Sequence, residues 1–196
     1  MLSILRPALV LLTLFTALTG LAYPLAVTGL AQLVLPEAAN GSPVVVEGRV
    51  VGSSLIGQSF TSARYFHGRP SATTGADPAD PAKSVEDPYN AASSTGSNLG
   101  PSSAALAQAV KERAAALGGW PLPADLVTAS ASGLDPDISP AAAALQVSRV
   151  ARARGLPEDE VRALVNRSTM GRSFSLLGEP RVNVLALNLS LDALQR

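Results

Sequence analysis

The chain has 196 residues, of which 47% are apolar and only 15% are charged, and its 15 basic side chains are balanced by 15 acidic ones. Without a surplus of positive charge it is poorly suited to hold a polyphosphate backbone, so we do not expect nucleic acid as a partner. It has no cysteine and a single histidine, His67, which excludes disulfides, thiol catalysis and zinc sites built on cysteine or paired histidine.

The first element is an apolar run without ionisable charge from Pro7 to Leu35, and residues 1–36 contain one charged side chain, Arg6. As a helix rising about 1.5 Å per residue, the run exceeds the roughly 30 Å thickness of a bilayer core. A cleaved secretory signal is the alternative, because Gly20 and Ala22 are small enough for a cleavage site, but the apolar cores of such signals run about 7–15 residues. We therefore predict a retained membrane-spanning helix over residues 7–35.

The charges on either side of this run predict its orientation. Arg6 precedes the span and Glu37 follows it, which favours a short cytoplasmic amino terminus, residues 1–6, and a body outside the cytoplasm. Residues 36–196 suit one domain of ordinary size. The predicted protein is thus single-pass, with its main domain extracytoplasmic.

One face of the predicted span carries small and hydroxylated residues, with Gly20 and Pro24 at its centre. On a regular helix this face comprises Thr13, Thr16, Ala17, Gly20, Pro24, Thr28 and Ala31. In lipid, such residues permit close helix approach and interhelical hydrogen bonds, so we expect a partner helix here. Pro24 removes one helical hydrogen bond and predicts a kink near the middle of the span.

The body begins with a short polar linker, residues 36–43, and a valine-rich hairpin between residues 44 and 51. Residues 62–103 are rich in turn-forming residues and predict a long irregular loop. That loop region is aromatic, including Tyr65, Phe66 and Tyr89, which a disordered linker would not be. We expect an ordered, functional loop.

The rest of the body alternates predicted helices and strands. Helices are predicted from residues 101–102 to 117, from Pro140 to Arg154 and from Pro157 onward, because each has an amino-terminal signal and apolar residues at helical spacing. Residues 126–128 predict a short strand, and the alternating leucines of residues 182–191 predict a half-buried strand. The fold class is mixed α/β: one amino-terminal transmembrane helix followed by a single extracytoplasmic α/β domain.

Catalytic and metal motifs are incomplete in this sequence. The serine-hydrolase pattern G-x-S-x-G and the P-loop pattern are not formed, and His67 would have to serve as the base of any triad. Asp135 and Asp137 have the spacing of the first calcium-loop ligands, but the later ligands are missing, so we interpret them as a turn. We predict neither catalytic residues nor a metal site.

The segment from Arg64 to Pro70 concentrates aromatic and hydrogen-bonding side chains. Arginine and tyrosine are the residue types that anchor protein interfaces. We therefore predict a partner interface at Tyr65, Phe66, His67 and Arg69, expect it to be exposed, and expect a Tyr65→Ala, Arg69→Ala double variant to change stability by no more than about 1 kcal/mol. A loop packed against its own domain is the alternative.

Several segments carry a resemblance to a known family. They are Tyr23-Pro24; Gly57-Gln58-Ser59-Phe60 leading to Tyr65-Phe66-His67-Gly68-Arg69-Pro70-Ser71; Tyr89-Asn90; residues 127–135 with Ile138-Ser139; Gln146-Val147 with Arg149-Val150-Ala151; and Val182-Asn183-Val184 with Leu187-Asn188. In order and spacing they resemble the C subunits of bacterial Kdp potassium-transporting ATPases over nearly the whole chain.

The resemblance implies a non-catalytic subunit of an inner-membrane complex. Its partners would be a channel-like potassium-binding subunit, a P-type ATPase subunit that hydrolyses ATP, and membrane lipid. ATP and potassium would be handled by the complex, and this chain would bind no cofactor on its own. The resemblance implies two roles, assembly of the complex and a catalytic chaperone function that raises ATP affinity, and it associates Gln146 with the nucleotide.

Two other classes of function remain open from sequence. A membrane-anchored hydrolase requires His67 within hydrogen-bond reach of a serine hydroxyl. A membrane-anchored periplasmic solute-binding module requires a pocket in the body.

Overall fold

The computed structural model describes residues 2–119 and 121–194, with the side chains of Leu2 and Ser3 outside that description. Met1 and residues 195–196, at the ends of the predicted segments, also lie outside the described residues. The chain divides into two compact units, Met1–Val51 and Gly52–Arg196.

The first unit opens with a long apolar helix. It consists of α1 (Leu2–Ala17), a π-helical turn (Leu18–Ala22) and α2 (Tyr23–Val34). The stretch Ile4–Val34 has 31 residues with a mean hydropathy of 1.9 and is not buried by the rest of the chain. In length and composition it can cross a membrane, which confirms a mixed fold with one amino-terminal candidate span.

The π-helical turn lies directly before Pro24, the residue for which a kink was predicted. Because proline has no N–H, the regular hydrogen-bond ladder cannot continue through it. The N–H of Tyr23 instead bonds to the carbonyl of Leu18, five residues earlier. The widened turn offsets the following positions by about one residue, roughly 100°. The face predicted on a regular helix is therefore divided at this turn.

The rest of the first unit is a short helix and most of a hairpin. The predicted linker contains α3 (Pro36–Ala39), since proline at the first helical position favours a helix start. The predicted hairpin is confirmed as β1 (Pro43–Val46) and β2 (Arg49–Ser53). Its two turn residues, Glu47 and Gly48, have φ of 51° and 77°, the positive values that a two-residue hairpin loop favours.

The long loop predicted for residues 62–103 has more structure than expected. It contains an antiparallel pair, β3 (Thr74–Ala76) with β4 (Ser84–Glu86), and a 3₁₀ turn at Ala91–Ser93. After it, α4 (Ala104–Ala116) begins two to three residues later than predicted, because Ser103 is the N-cap. The strand predicted at residues 126–128 is wrong: this stretch forms α5 (Ala124–Val127).

The two central helices of the second unit agree with the sequence. Helix α6 (Pro140–Arg154) has Ser139 as its N-cap, with the hydroxyl accepting from the N–H of Ala142 at 3.0 Å. It ends at Gly155, whose φ of 67° suits the left-handed C-terminal position. Helix α7 (Glu158–Ser168) has acidic residues in its first turn, which favours its dipole.

A small antiparallel sheet and a final helix complete the second unit. Strand β7 (Arg181–Asn183) lies between β5 (Asp137–Ile138) and β6 (Thr169–Met170). The long strand predicted for residues 182–191 is wrong, because α8 (Val184–Ala193) takes most of that range. Its buried residues have the spacing of one helical face; they are Val184, Leu185, Leu187, Asn188 and Leu191.

The hydrophobic core lies where α6, α7 and α8 pack around β7. Its fully buried members are Phe66, Ala142, Ala143, Val147, Val150, Val161, Val182, Leu187 and Leu191. The core therefore joins the carboxyl-terminal helices to one residue of the irregular loop, Phe66.

The assignment of α8 as a helix can be tested by two leucine truncations. Leu187→Ala removes a wholly buried side chain and should lower the free energy of unfolding by about 2–5 kcal/mol. Leu189→Ala should cost clearly less, because Leu189 is only partly buried. Urea unfolding of the full chain in detergent measures both; equal losses would indicate the alternating strand pattern instead.

Candidate functional site: a loop held by polar side chains of two helices

Asn188, on α8, holds the backbone of Phe66. Its side-chain oxygen accepts from the N–H of Phe66 at 2.8 Å, and its nitrogen donates to the carbonyl of Phe66 at 3.0 Å. Asn188 is 2% exposed and the phenyl ring of Phe66 is 0% exposed. The amide thus satisfies both backbone groups of a residue whose ring is in the core, where unpaired groups would be costly.

Gln146, on α6, does the same for the next residue, His67. The N–H of His67 donates to its side-chain oxygen at 2.8 Å, and its nitrogen donates to the carbonyl of His67 at 3.1 Å. The guanidinium of Arg149 donates to the same Gln146 oxygen at 2.6 Å and to the carbonyls of Ala63 and Tyr65. We call residues 63–70 the clamped loop, because α6 and α8 hold its backbone.

A buried arginine holds the start of the clamped loop. The Arg154 side chain is 1% exposed; it donates to the carbonyl of Arg64 at 2.7 Å and pairs with Asp192 at 2.8 Å. Its guanidinium lies 4.9 Å from the ring centroid of Tyr65, whose hydroxyl donates to Asp192 at 3.2 Å. The buried charge is thus balanced by a carboxylate, two hydrogen bonds and an aromatic face.

The end of the clamped loop packs on the irregular segment that follows it. Arg69 pairs with Asp135 at 3.0 Å, and the Tyr89 hydroxyl donates to the carbonyl of Arg69 at 2.7 Å. Burial, with a smaller effect of Asp135, raises the pKa of Tyr89 to about 12 and keeps this hydroxyl a donor. A side chain at Gly68 would collide with the Tyr89 hydroxyl, so glycine is required there for steric reasons.

These contacts correct part of the sequence analysis. Phe66, predicted as an interface residue, is a core residue with no surface of its own. Tyr65, His67 and Arg69 are half-buried and bonded within the domain. The exposed loop expected from composition is instead packed against its own domain, so the Tyr65→Ala, Arg69→Ala double variant should lose stability. An interface at the remaining surface of Tyr65, His67 and Arg69 stays a prediction.

The other two residues predicted as interface, Gly20 and Pro24, belong to the apolar helix of the first unit. A side chain added at Gly20 would meet no other atom of the chain within 4 Å. The space beside this glycine is therefore open to another molecule.

A cavity of about 300 Å³ opens beside the Gln146 clamp. Its polar lining consists of His67, Arg69, Arg113, Gln146 and Arg149, between apolar walls from α4 and α5. Arg69 has a carboxylate partner in Asp135, whereas Arg113 and Arg149 are bonded to neutral oxygens in the described part of the chain. The chemistry of this lining suits an anionic group.

His67 itself is held in a way that disfavours hydrolytic chemistry. Its Nε2 lies 3.0 Å from the backbone carbonyl of Ser62, which offers no proton to abstract. Burial lowers the pKa of His67; the hydrogen bond to Ser62 opposes this effect and the charge of Arg149 adds to it. The ring is therefore neutral at pH 7 and donates through Nε2 to the carbonyl.

Sequence reasoning did not assign site roles to Asn188, Arg149 and Arg154. One signal was present: Gln146 and Asn188 are amides at positions that helical spacing places on a buried face. A polar residue at a buried position needs a partner. The sequence could not show that the partner is the backbone of residues 66 and 67, far away along the chain.

The fold and site define a class of protein: a small α/β body in a chain with one apolar helix that can span a membrane, whose buried polar groups fasten a loop. Comparison with known proteins is more specific. A profile of the family described as "KdpC: K+-transporting ATPase, c chain" matches residues 5–193. The chain therefore belongs to the family of c chains of potassium-transporting ATPases.

Relatives match this chain along its length. The "Potassium-transporting ATPase KdpC subunit" of Methylorubrum populi is 64% identical over 200 residues, covering 100% of both chains. The proteins of the same name from Methylorubrum extorquens and Rhodopseudomonas palustris are 66% identical over 97% of each chain and 62% identical over 100% of each chain. The segments quoted in the sequence analysis thus indicated the correct family.

The lowered pKa of His67 predicts a pH-dependent stability. Because the unfolded histidine binds a proton near pH 6.5 and the folded one resists it, stability should fall as the pH is lowered through 6.5 toward the folded pKa. Asp137, whose pKa is raised by burial, acts in the opposite direction and at lower pH.

Thermal unfolding of the full chain in detergent at pH 7.5 and 5.5 checks this expectation. His67→Gln should reduce the loss of Tm on acidification. An equal loss in the parent and in His67→Gln would show that the destabilisation arises elsewhere.

Proposed function

We propose that this chain is a non-catalytic accessory subunit that assembles and stabilises an ATP-driven potassium-uptake complex. The observation that carries the proposal is the use of the body's buried polar side chains. Gln146, Arg149, Arg154 and Asn188 direct hydrogen bonds to the backbone of residues 63–67. Groups committed in this way build a rigid surface and are poorly placed for turnover.

The partners proposed for this chain are a channel-like potassium-binding subunit and a P-type ATPase subunit, with membrane lipid around the apolar helix. ATP hydrolysis is assigned to the P-type subunit, and potassium is handled by the complex. Relatives named as subunits of a potassium-transporting ATPase support this assignment. The hydrolase alternative is not favoured, since the histidine that it needs is bonded to a carbonyl, and full-length relatives named as transporter subunits speak against a solute-binding module.

The chain is proposed to be a single-pass protein of the inner membrane, with residues 1–6 cytoplasmic and the body outside. Arg6 before the apolar helix and Glu37 after it support this orientation. Because the chain has no cysteine, Ala79→Cys creates a unique label site at an exposed position. A membrane-impermeant maleimide should label it in intact spheroplasts; labelling only after lysis would reverse the orientation.

Assembly through the apolar helix is tested at its two glycines. Gly20→Leu fills open space on the face predicted to meet a partner helix, and should lower recovery of the complex from detergent by about tenfold because close packing is lost. Gly29→Leu is the matched control, since it also meets no atom of the chain within 4 Å and lies nine residues away on a different face. Equal recovery of both variants would contradict a helix contact at Gly20.

A catalytic chaperone role, in which the chain raises the ATP affinity of the hydrolysing subunit, is the second function proposed. The cavity beside Gln146, with two arginines bonded to neutral oxygens in the described region, supports it, because such a site suits an anionic group. An extracytoplasmic body could exert this effect only through coupling across the membrane.

Two matched substitutions separate this role from simple destabilisation. Gln146→Ala and Asn188→Ala each remove an amide that holds two backbone groups of the clamped loop. Both should lower the free energy of unfolding by about 1–3 kcal/mol, the cost of unsatisfied buried groups. If the chaperone role depends on Gln146, the KM for ATP of the purified complex rises with Gln146→Ala alone. A similar KM in both variants would make Gln146 purely structural.

A further inference from the structure

An exposed apolar loop, residues 173–177, is the feature of the second unit that neither the clamped loop nor the cavity explains. Phe174, Leu176 and Leu177 are 90%, 79% and 64% exposed. Single exposed apolar residues are ordinary, but three large ones at one tip make an adjoining patch that water solvates poorly.

The loop is built in a defined conformation. Ser173 and Leu177 exchange two backbone hydrogen bonds, of 2.8 and 2.9 Å, which close the turn. Arg172 pairs with Glu179 at 2.6 Å across its base. Phe174 and Ser175 have φ of 53° and 61°, left-handed values that are unfavourable for residues other than glycine. The chain thus maintains a strained turn whose most visible result is to project a phenyl ring and two leucines.

We propose that residues 173–177 are a docking surface whose apolar tip inserts into an apolar cleft on the extramembrane part of another subunit of the same ATPase. This inference rests on the proposed function, which it deepens by naming the contact. An aromatic anchor with aliphatic neighbours, held in its bound conformation in advance, is the arrangement that gives specific protein contacts their affinity.

Charge distinguishes a protein cleft from a lipid surface as the occupant. Loops that bind anionic lipid combine an apolar tip with free basic side chains. Here Arg172 is paired with Glu179, and Arg181 is paired with Asp137 at 3.0 Å. Both cations near the tip are therefore neutralised by neighbours, and insertion into lipid would not require the strained backbone. A neutral, shaped cleft fits both observations.

Photo-crosslinking in native membranes tests the proposal. The photoreactive residue benzoylphenylalanine replaces Phe174 in the full chain, expressed with the other subunits. The control places it at Leu145, which is 52% exposed on α6 of the same unit. We expect a discrete adduct from position 174, shown by mass spectrometry to contain another subunit of the ATPase, with at least a tenfold lower yield from position 145.

Each other result overturns the proposal. Adducts with lipid alone identify the bilayer as the occupant, adducts with a second copy of this chain identify self-association, and the lack of any adduct shows that the tip faces solvent. Recovery of the other subunits with the parent chain is measured in parallel. If the parent recovers them and position 174 does not crosslink, this inference fails alone; if the parent recovers none, the proposed assembly function fails as well.

A double variant gives an independent check. Phe174→Ser with Leu176→Ser should reduce recovery of the other subunits by about tenfold, while Leu145→Ser leaves it within twofold. The Tm of the full chain in detergent should stay at the parent value, because the replaced side chains are exposed. Full recovery of the complex with the double variant would contradict docking through this tip.

Discussion

The body of this protein depends on two side-chain amides that act as substitutes for a strand. Gln146 and Asn188 each form the pair of hydrogen bonds that a neighbouring strand would supply, to consecutive residues of an irregular loop. Since the backbone groups of Phe66 and His67 are satisfied in this way, the phenyl ring can lie in the core without a sheet around it. Removing either amide would leave buried polar groups unpaired.

The charged groups around the loop follow the same pattern. Arg154 is almost fully buried, and its charge is compensated by Asp192, by the Tyr65 ring and by a backbone carbonyl. Arg149 is bonded to carbonyls and to Gln146, and burial lowers its pKa. These arginines contribute mainly as multiple donors in a fixed plane, a property that lysine lacks. The result is a rigid body with a cationic cavity at one side.

A rigid body of this kind suits a subunit that contacts other proteins. The clamped loop turns its aromatic residues inward, whereas the loop of residues 173–177 turns Phe174 and two leucines outward. Composition alone made the first loop look like the interface, because both contain aromatic and basic residues. Burial decides between them, since a side chain that fills the core of its own domain has no surface left to offer.

The sequence by itself determined the apolar span, the hairpin, helices α6 and α7, and the family. These depend on local signals: uninterrupted apolar length, turn residues, caps such as Ser139 and Gly155, and apolar spacing. Only the tertiary structure decided that residues 184–193 form a helix, because alternating leucines fit either a strand or a helix buried on much of its surface. It also decided that the clamped loop is internal, since Phe66 and Asn188 lie 122 residues apart and their hydrogen bonds form only when the whole body has folded.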